Sequence, residues 1–182
     1  MIAAAAHGQG QVVGWGSNLN GELRLVTESL LPFTSVRGGA FHTVALRADG
    51  TVACWGSNVL GQGTPPSELG PVKLIDSGSF FSVAVRADGT VSCWGNNNSG
   101  QCTVPSGLVD VRSISAGDQH VVALQSNGLV RAWGQNASGQ CNVPTQPSLG
   151  SVVEVAAGGQ HSMALRTDGS VLRDRSHPAA HR

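Results

Sequence analysis

Apolar residues in this chain come in short runs of five or six positions, each closed by a tight turn and answered by a second run. Thr43 to Arg47 and Thr51 to Trp55 show the arrangement, with Ala48-Asp49-Gly50 between them. Glycine there supplies the positive φ of a hairpin turn, so the pair is expected to form a β-hairpin. Alternation within the runs is incomplete, because Val44, Ala45 and Leu46 are all apolar, as are Val52, Ala53 and Cys54. A strand covered on one face would alternate more cleanly; these strands are expected to pack between neighbouring sheets. Similar units occupy residues 76–97 and 115–136, and Val109 to Ser115 and Val152 to Ala157 read as further strands leading into a small-residue corner.

The units recur with a fixed period. Trp-Gly pairs fall at Trp15, Trp55, Trp94 and Trp133, and Asp-Gly or Asn-Gly turns at Asp49, Asp88, Asn127 and Asp168. A repeat of about 40 residues built from strands and turns predicts an all-β propeller with one small four-stranded sheet, or blade, per repeat. Asn-rich tips at 96–99 and 136–138 lead into Gly-Gln pairs, and Pro105 and Pro144 stop each tip from continuing as a central strand. The four tryptophans are expected to be structural anchors, each ring N–H needing a partner. Gly10 to Trp15 aligns with Gly128 to Trp133, so the first copy is partial. The last begins at 155 and loses its pattern after Val171, where LRDRSHPAAHR replaces the Trp-Gly strand. Residues 1–172 are therefore expected to be propeller and 173–182 a disordered tail. About four blade equivalents result, and only if the N-terminal strand completes the C-terminal blade. An open arc would expose two apolar-faced edges, favouring self-association, and the chain is expected to be a fragment or a protomer.

Composition narrows the function more than the fold. Lys+Arg and Asp+Glu both total 11, so no basic field favours nucleic acid or anionic lipid. The start, MIAAAAHGQG, lacks the charge and length of a signal peptide or membrane helix, which leaves a cytoplasmic location as the default expectation.

The unit AG-x-x-H-(S/T)-x-A-L, followed after a turn by G-x-V-x-x-W-G and GQ, closely resembles the repeat of the regulator of chromosome condensation family. His42, His120 and His161, the Ala-Leu pairs at 45, 123 and 164, and the Trp-Gly pairs carry the resemblance over residues 10 to 172. The short units ending in GQxxVP at Gly100 and Gly139 are similar to bacterial members, including propeller-type β-lactamase inhibitors. The family's usual ring implies seven blades.

Candidate chemistry is sparse. His42, His120 and His161 occupy one repeat position, but the equivalent residue in the second unit is Phe81, which cannot ligate a metal; shared packing and hydrogen bonding explains the position better. Cys93 and Cys102 fall in one repeat across a loop and form a candidate disulfide, whereas Cys54 and Cys141 have no such counterpart. No nucleophile elbow occurs, and Gly8-Gln9-Gly10 precedes no amphipathic helix. The sequons at Asn97 and Asn136 sit at repeat tips and read as coincidence. No catalytic residue, cofactor or metal is expected. The remaining candidate is a loop rim. Phe41, Phe80, Gln119 and Gln160 stand just before each histidine position. Resemblance to the bacterial inhibitors implies that aromatics here contact a partner, which Phe41 and Phe80 match and Gln119 and Gln160 do not; the competing expectation is that both phenylalanines are buried between blades. The expected function is a non-enzymatic protein-interaction module with an unidentified protein partner. The alternatives are inhibition of a secreted enzyme such as a β-lactamase, and nucleotide exchange on a small GTPase, for which the repeat spacing leaves no insertion.

Overall fold

The hairpin turns set the architecture. Asp49 Oδ1 accepts hydrogen bonds from Thr51 N and Oγ1 at 2.9 and 2.7 Å, and Asp88 with Thr90 repeats the motif at 2.9 and 2.7 Å. Asp168 does the same with Ser170, while Asn127 receives only the Leu129 amide. Each turn ends on a glycine at φ +81 to +86. The computed structural model describes residues 12, 14, 15, 17–22, 31–145 and 148–173.

Twelve strands in this region form four antiparallel sheets of three, each in simple up-and-down order. Blade 1 comprises β1 (Phe33–Gly38), β2 (His42–Arg47) and β3 (Val52–Gly56). Blade 2 comprises β4 (Val72–Ser77), β5 (Phe81–Arg86) and β6 (Val91–Gly95). Blade 3 comprises β7 (Val111–Ala116), β8 (His120–Gln125) and β9 (Val130–Gly134), and blade 4 comprises β10 (Val152–Ala157), β11 (Ser162–Arg166) and β12 (Val171–Arg173).

The sheets carry three strands where the repeat pattern suggests four. Between β6 and β7 the chain instead makes successive turns, with Gly100 N bonding to Asn97 O, Thr103 N to Gly100 O and Leu108 N to Pro105 O. Proline and the turn-forming Asn-Gly tips consume the segment that would otherwise add an outer strand. Asp110 at φ 52 then breaks the extended backbone just before β7, which is why that strand starts at Val111 rather than Val109. Of the partial first copy, Val12, Gly14 and Trp15 are described and are not in a strand; the remainder of that unit's strand lies outside the described residues. Arg173 belongs to β12, and the rest of the expected disordered tail lies outside the described residues.

Three cores separate the four blades. Val44 and Leu46 of β2 meet Leu69, Val72, Ile75, Ala84 and Trp94 of blade 2. Phe81, Val83 and Val85, on the opposite face of β5 from Ala84, meet Val111, Val121, Ala123 and Trp133 of blade 3. Val122, Leu124 and Val130 meet Leu149, Val152, Val155 and Ala164 of blade 4. A middle strand is thus buried on both faces, which accounts for the unbroken apolar runs. At the corner before each middle strand a glycine lets successive blades touch: a Cβ on Gly117 would collide with the Gly158 carbonyl and the His120 ring. First strands of successive blades lie side by side from β1 to β4 to β7 to β10.

Candidate interaction rim and the junctions that hold it

Each repeated residue serves the boundary with the next blade. At the boundary of blades 1 and 2 the Gln62 carbonyl accepts from Trp94 Nε1 and from Ser82 Oγ, both at 2.9 Å. Ser82 Oγ spends its proton on that carbonyl, so its 3.0 Å contact with His42 Nε2 must be an N–H donated by the ring. The neutral Nε2–H tautomer follows, leaving Nδ1 buried and without a partner among the described residues. Blades 3 and 4 repeat the unit, with His120 Nε2 donating to Ser162 Oγ at 2.9 Å and Ser162 Oγ to the Gln140 carbonyl at 2.7 Å. Burial lowers the pKa of both His42 and His120, holding them neutral.

The middle boundary is built differently. Trp133 Nε1 still donates to the Gln101 carbonyl at 2.9 Å, but Phe81 replaces the histidine and Val121 the serine, both fully buried. Donor and acceptor have been exchanged together for apolar groups. The expected shared role therefore divides: His42 and His120 pack and hydrogen-bond, Phe81 packs alone, and His161 is exposed. Tryptophan anchoring holds for Trp94 and Trp133, each 7% exposed, and Trp55 donates to the Glu22 carbonyl at 2.6 Å. Trp15 departs from it, at 86% exposed, because no blade of the described chain covers it.

The same glutamines also tie the tips. Gln62, Gln101 and Gln140 accept from the amides of Leu60, Ser99 and Ser138 at 2.8, 2.9 and 2.8 Å. Asn97 and Asn136, the sequon asparagines, accept from Cys102 N and Cys141 N at 2.8 Å, and their Nδ2 groups donate within the same loops. Cys93 and Cys102 form a disulfide across the blade 2 loop. Cys54 and Cys141 are free, their thiols pushed up to about 12 and about 11 by burial, so neither is a ready nucleophile.

Above these junctions lies the rim. The backbone carbonyls of Phe41, Phe80 and Gln119 each accept from the residue after a Trp-Gly pair, Ser57, Asn96 and Gln135, at 2.7, 2.9 and 2.9 Å. Their positions are fixed by the sheet. Phe41 and Phe80 lie together, ring centroids 5.2 Å apart, with Phe41 41% exposed. Gln119 and Gln160 do not join them; their amide oxygens accept from Ser99 and Ser138 at 2.9 and 3.3 Å. In the first tip the positions equivalent to Asn98 and Ser99 are Val59 and Leu60, 78% and 45% exposed. The rim is consequently apolar over blades 1 and 2 and polar over blades 3 and 4.

A family profile described as regulator of chromosome condensation (RCC1) repeat matches residues 33–62, 72–101 and 111–140, one segment for each of blades 1 to 3. The chain is built of regulator of chromosome condensation repeats. Each matched segment of this repeat runs from a first strand to the glutamine whose carbonyl receives the next blade, so the repeat contains both halves of a junction. No curated protein sequence matches the chain significantly. Among solved structures, the ectodomain of the Physcomitrella patens receptor kinase CR4 is similar at 28% identity and TM-score 0.74, covering 90% of this chain and 46% of that one. The CRINKLY WD40 ectodomain of the Arabidopsis thaliana receptor kinase ACR4 shows 26% identity and TM-score 0.72, covering 90% and 62%. Prp20p from Saccharomyces cerevisiae, at 23% identity and TM-score 0.69 over 81% and 46%, shares the fold. The chain thus spans about half the length of the CR4 ectodomain and of Prp20p, each covered to 46%, and 62% of the ACR4 chain.

Sequence reasoning placed Phe41 and Phe80 on one rim but missed Val59 and Leu60, which look unremarkable until the tips are aligned. It also missed Ser82, Ser162 and the glutamine carbonyls, although the Ser or Thr after the histidine position and the repeated Gly-Gln were legible signals.

Proposed function

We propose that this chain is a non-enzymatic protein-interaction module whose contact surface is the apolar half of the rim, centred on Phe41 and Phe80. The paired rings, Phe41 exposed and Phe80 half-buried beside it, carry this reading. Aromatic pairs held on a fixed backbone bring large contact area at low ordering cost, the character of interface hot spots. Val59 and Leu60 extend the same side, and Gln119 and Gln160 on the polar half lie outside the contact. The test is a comparison of the wild-type chain with the Phe41→Ser, Phe80→Ser double variant and a Gln160→Ser control, each used to capture partners and then titrated with the purified candidate. Binding retained by Gln160→Ser and weakened at least about thirtyfold in the double variant supports the reading. Equal binding by all three sinks it.

A second reading, inhibition of a secreted enzyme, is favoured by the same phenylalanine pair, since the short-repeat bacterial inhibitors present aromatics from the matching loop. Hydrolysis by a purified β-lactamase in the presence of the chain separates the two readings. No slowing at micromolar chain removes the inhibitor reading and leaves the general one standing.

A further inference from the structure

A cavity between blades 3 and 4 is built like the socket that holds a tryptophan one boundary earlier. Around Trp133 the core between blades 2 and 3 gathers Val83, Leu108, Val121 and Ala123, with Val104 packed against it, and the Gln101 carbonyl takes the indole N–H. At the next boundary the residues equivalent to these, Val122, Leu149, Ser162, Ala164 and Val143, line the cavity together with Gln140, which stands where Gln101 does. Ser162 alone departs from the apolar set, and its hydroxyl is engaged, donating to the Gln140 carbonyl at 2.7 Å. That carbonyl can take a second donor, since the Gln62 oxygen accepts from both Ser82 Oγ and Trp94 Nε1. Aliphatic walls with one such acceptor select a flat apolar ring carrying an N–H, whereas an ammonium or carboxylate would be stranded without a counter-charge. The cavity measures about 30 Å³ and is not closed. Val122, Leu149 and Ala164 form its buried walls, while Met163 and Leu172 are half-buried. That space admits the edge of a ring, and Met163, unbranched and with three rotatable bonds, turns aside for the remainder.

We propose that this cavity is a binding site for a small indole-type heterocycle, seated as Trp133 is seated and donating its N–H to the Gln140 carbonyl. The chain supplies its own template twice, because Trp94 on Gln62 and Trp133 on Gln101 show the same ring, acceptor and aliphatic surroundings at 2.9 Å. A bound ring would bridge blade 3 to blade 4 through the contacts that the indoles make at the other boundaries. Occupancy therefore stabilises the folded chain by mass action. The site stands apart from the rim's proposed role, because none of its residues belongs to the Phe41–Phe80 patch.

The test titrates the full chain with indole and follows the methyl resonances of Val122, Leu149, Met163 and Ala164 by NMR. Saturable shifts confined to these methyls are expected, with half-saturation below about 1 mM, together with direct indole-to-methyl contacts in nuclear Overhauser spectra. N-methylindole keeps the ring and loses the donor, and should bind at least about fivefold more weakly. Ala164→Leu fills the socket from its wall and should weaken indole at least about tenfold, with far-UV circular dichroism confirming that the variant folds. If it does not fold, the contacts to Leu149 and Ala164 in the wild type decide the matter alone. Absence of saturable shifts overturns the proposal, as do shifts scattered over the molecule or equal binding of N-methylindole. Unchanged affinity in a folded Ala164→Leu variant overturns it too. N-acetyltryptophanamide is the last arm: binding tighter than that of indole would assign the socket to a tryptophan of another polypeptide, and the small-molecule reading would fall.

Discussion

The exchange of a hydrogen-bonded His–Ser pair for Phe–Val at the middle boundary invites the same exchange elsewhere. Converting His42→Phe together with Ser82→Val would give the first boundary the chemistry of the Phe81–Val121 one. The ring fits, because Phe81 already lies over Gly78 as His42 lies over Gly39. Ser82→Val alone strands the Nε2–H of a fully enclosed imidazole and removes one of two side-chain donors from Gln62, costing about 2–3 kcal/mol. His42→Phe alone leaves Ser82 bonded to Gln62 and costs at most about 1 kcal/mol. The double change removes both orphaned groups, along with the unpartnered Nδ1, and is expected within about 1 kcal/mol of wild type. That is a coupling of roughly 2 kcal/mol between the two positions. Urea melts of all four proteins measure it, and thermal midpoints should differ by about 2–4 °C per kcal/mol for a chain of this size. Acid supplies a second reading of the same site. His42 titrates below its ordinary value of 6.5 when folded. Falling pH therefore protonates the unfolded chain first, and stability present above about 6.5 declines until pH passes the lowered folded value, at up to about 1.4 kcal/mol per pH unit. The double variant should lose this share of the slope and keep that of His120. If the singles simply add, or if the acid slope is unchanged, the assigned hydrogen-bond network is mistaken.

Further outcomes follow from the same repeats. Gly117→Ala drives a methyl into the Gly158 carbonyl and the His120 ring, and should cost at least about 2 kcal/mol in chemical denaturation. Ala132→Cys places a thiol opposite Cys141 at the positions that Cys93 and Cys102 hold in blade 2; one free thiol against two in the wild type, with two more released on reduction beyond the native pair, would register the new disulfide. Opening the native Cys93–Cys102 bond with reductant should lower stability by roughly 2–3 kcal/mol, the loop it closes being short. Trp94→Phe keeps the packing but removes one donor from Gln62, which retains Ser82, so its cost should stay near about 1 kcal/mol by the same melts.

Much of the architecture was legible because its determinants are local. Asp49-Gly50 and its equivalents mark the hairpins, and the apolar run from Val44 to Leu46 signals burial on both faces. The number of strands per blade was less so, since whether the segment after Gly100 pairs or turns depends on Pro105 and the Asn97 side chain acting together. The junctions were half visible: the histidine column was plain, but its serine partners lie about 40 residues away, and only the fold brings them within 3 Å. Rim character was the least legible. Phe41 and Phe80 are 39 positions apart and stack only because successive blades repeat one turn geometry.

The alternation of boundary types has a consequence for how the molecule comes apart. Titratable His–Ser contacts lie at the first and third boundaries, flanking an apolar, disulfide-adjacent second one. Mild acid weakens the flanks and leaves the centre untouched. Blades 2 and 3 then form the slow-exchanging kernel, and the outer blades peel away as separate cooperative units before global denaturation.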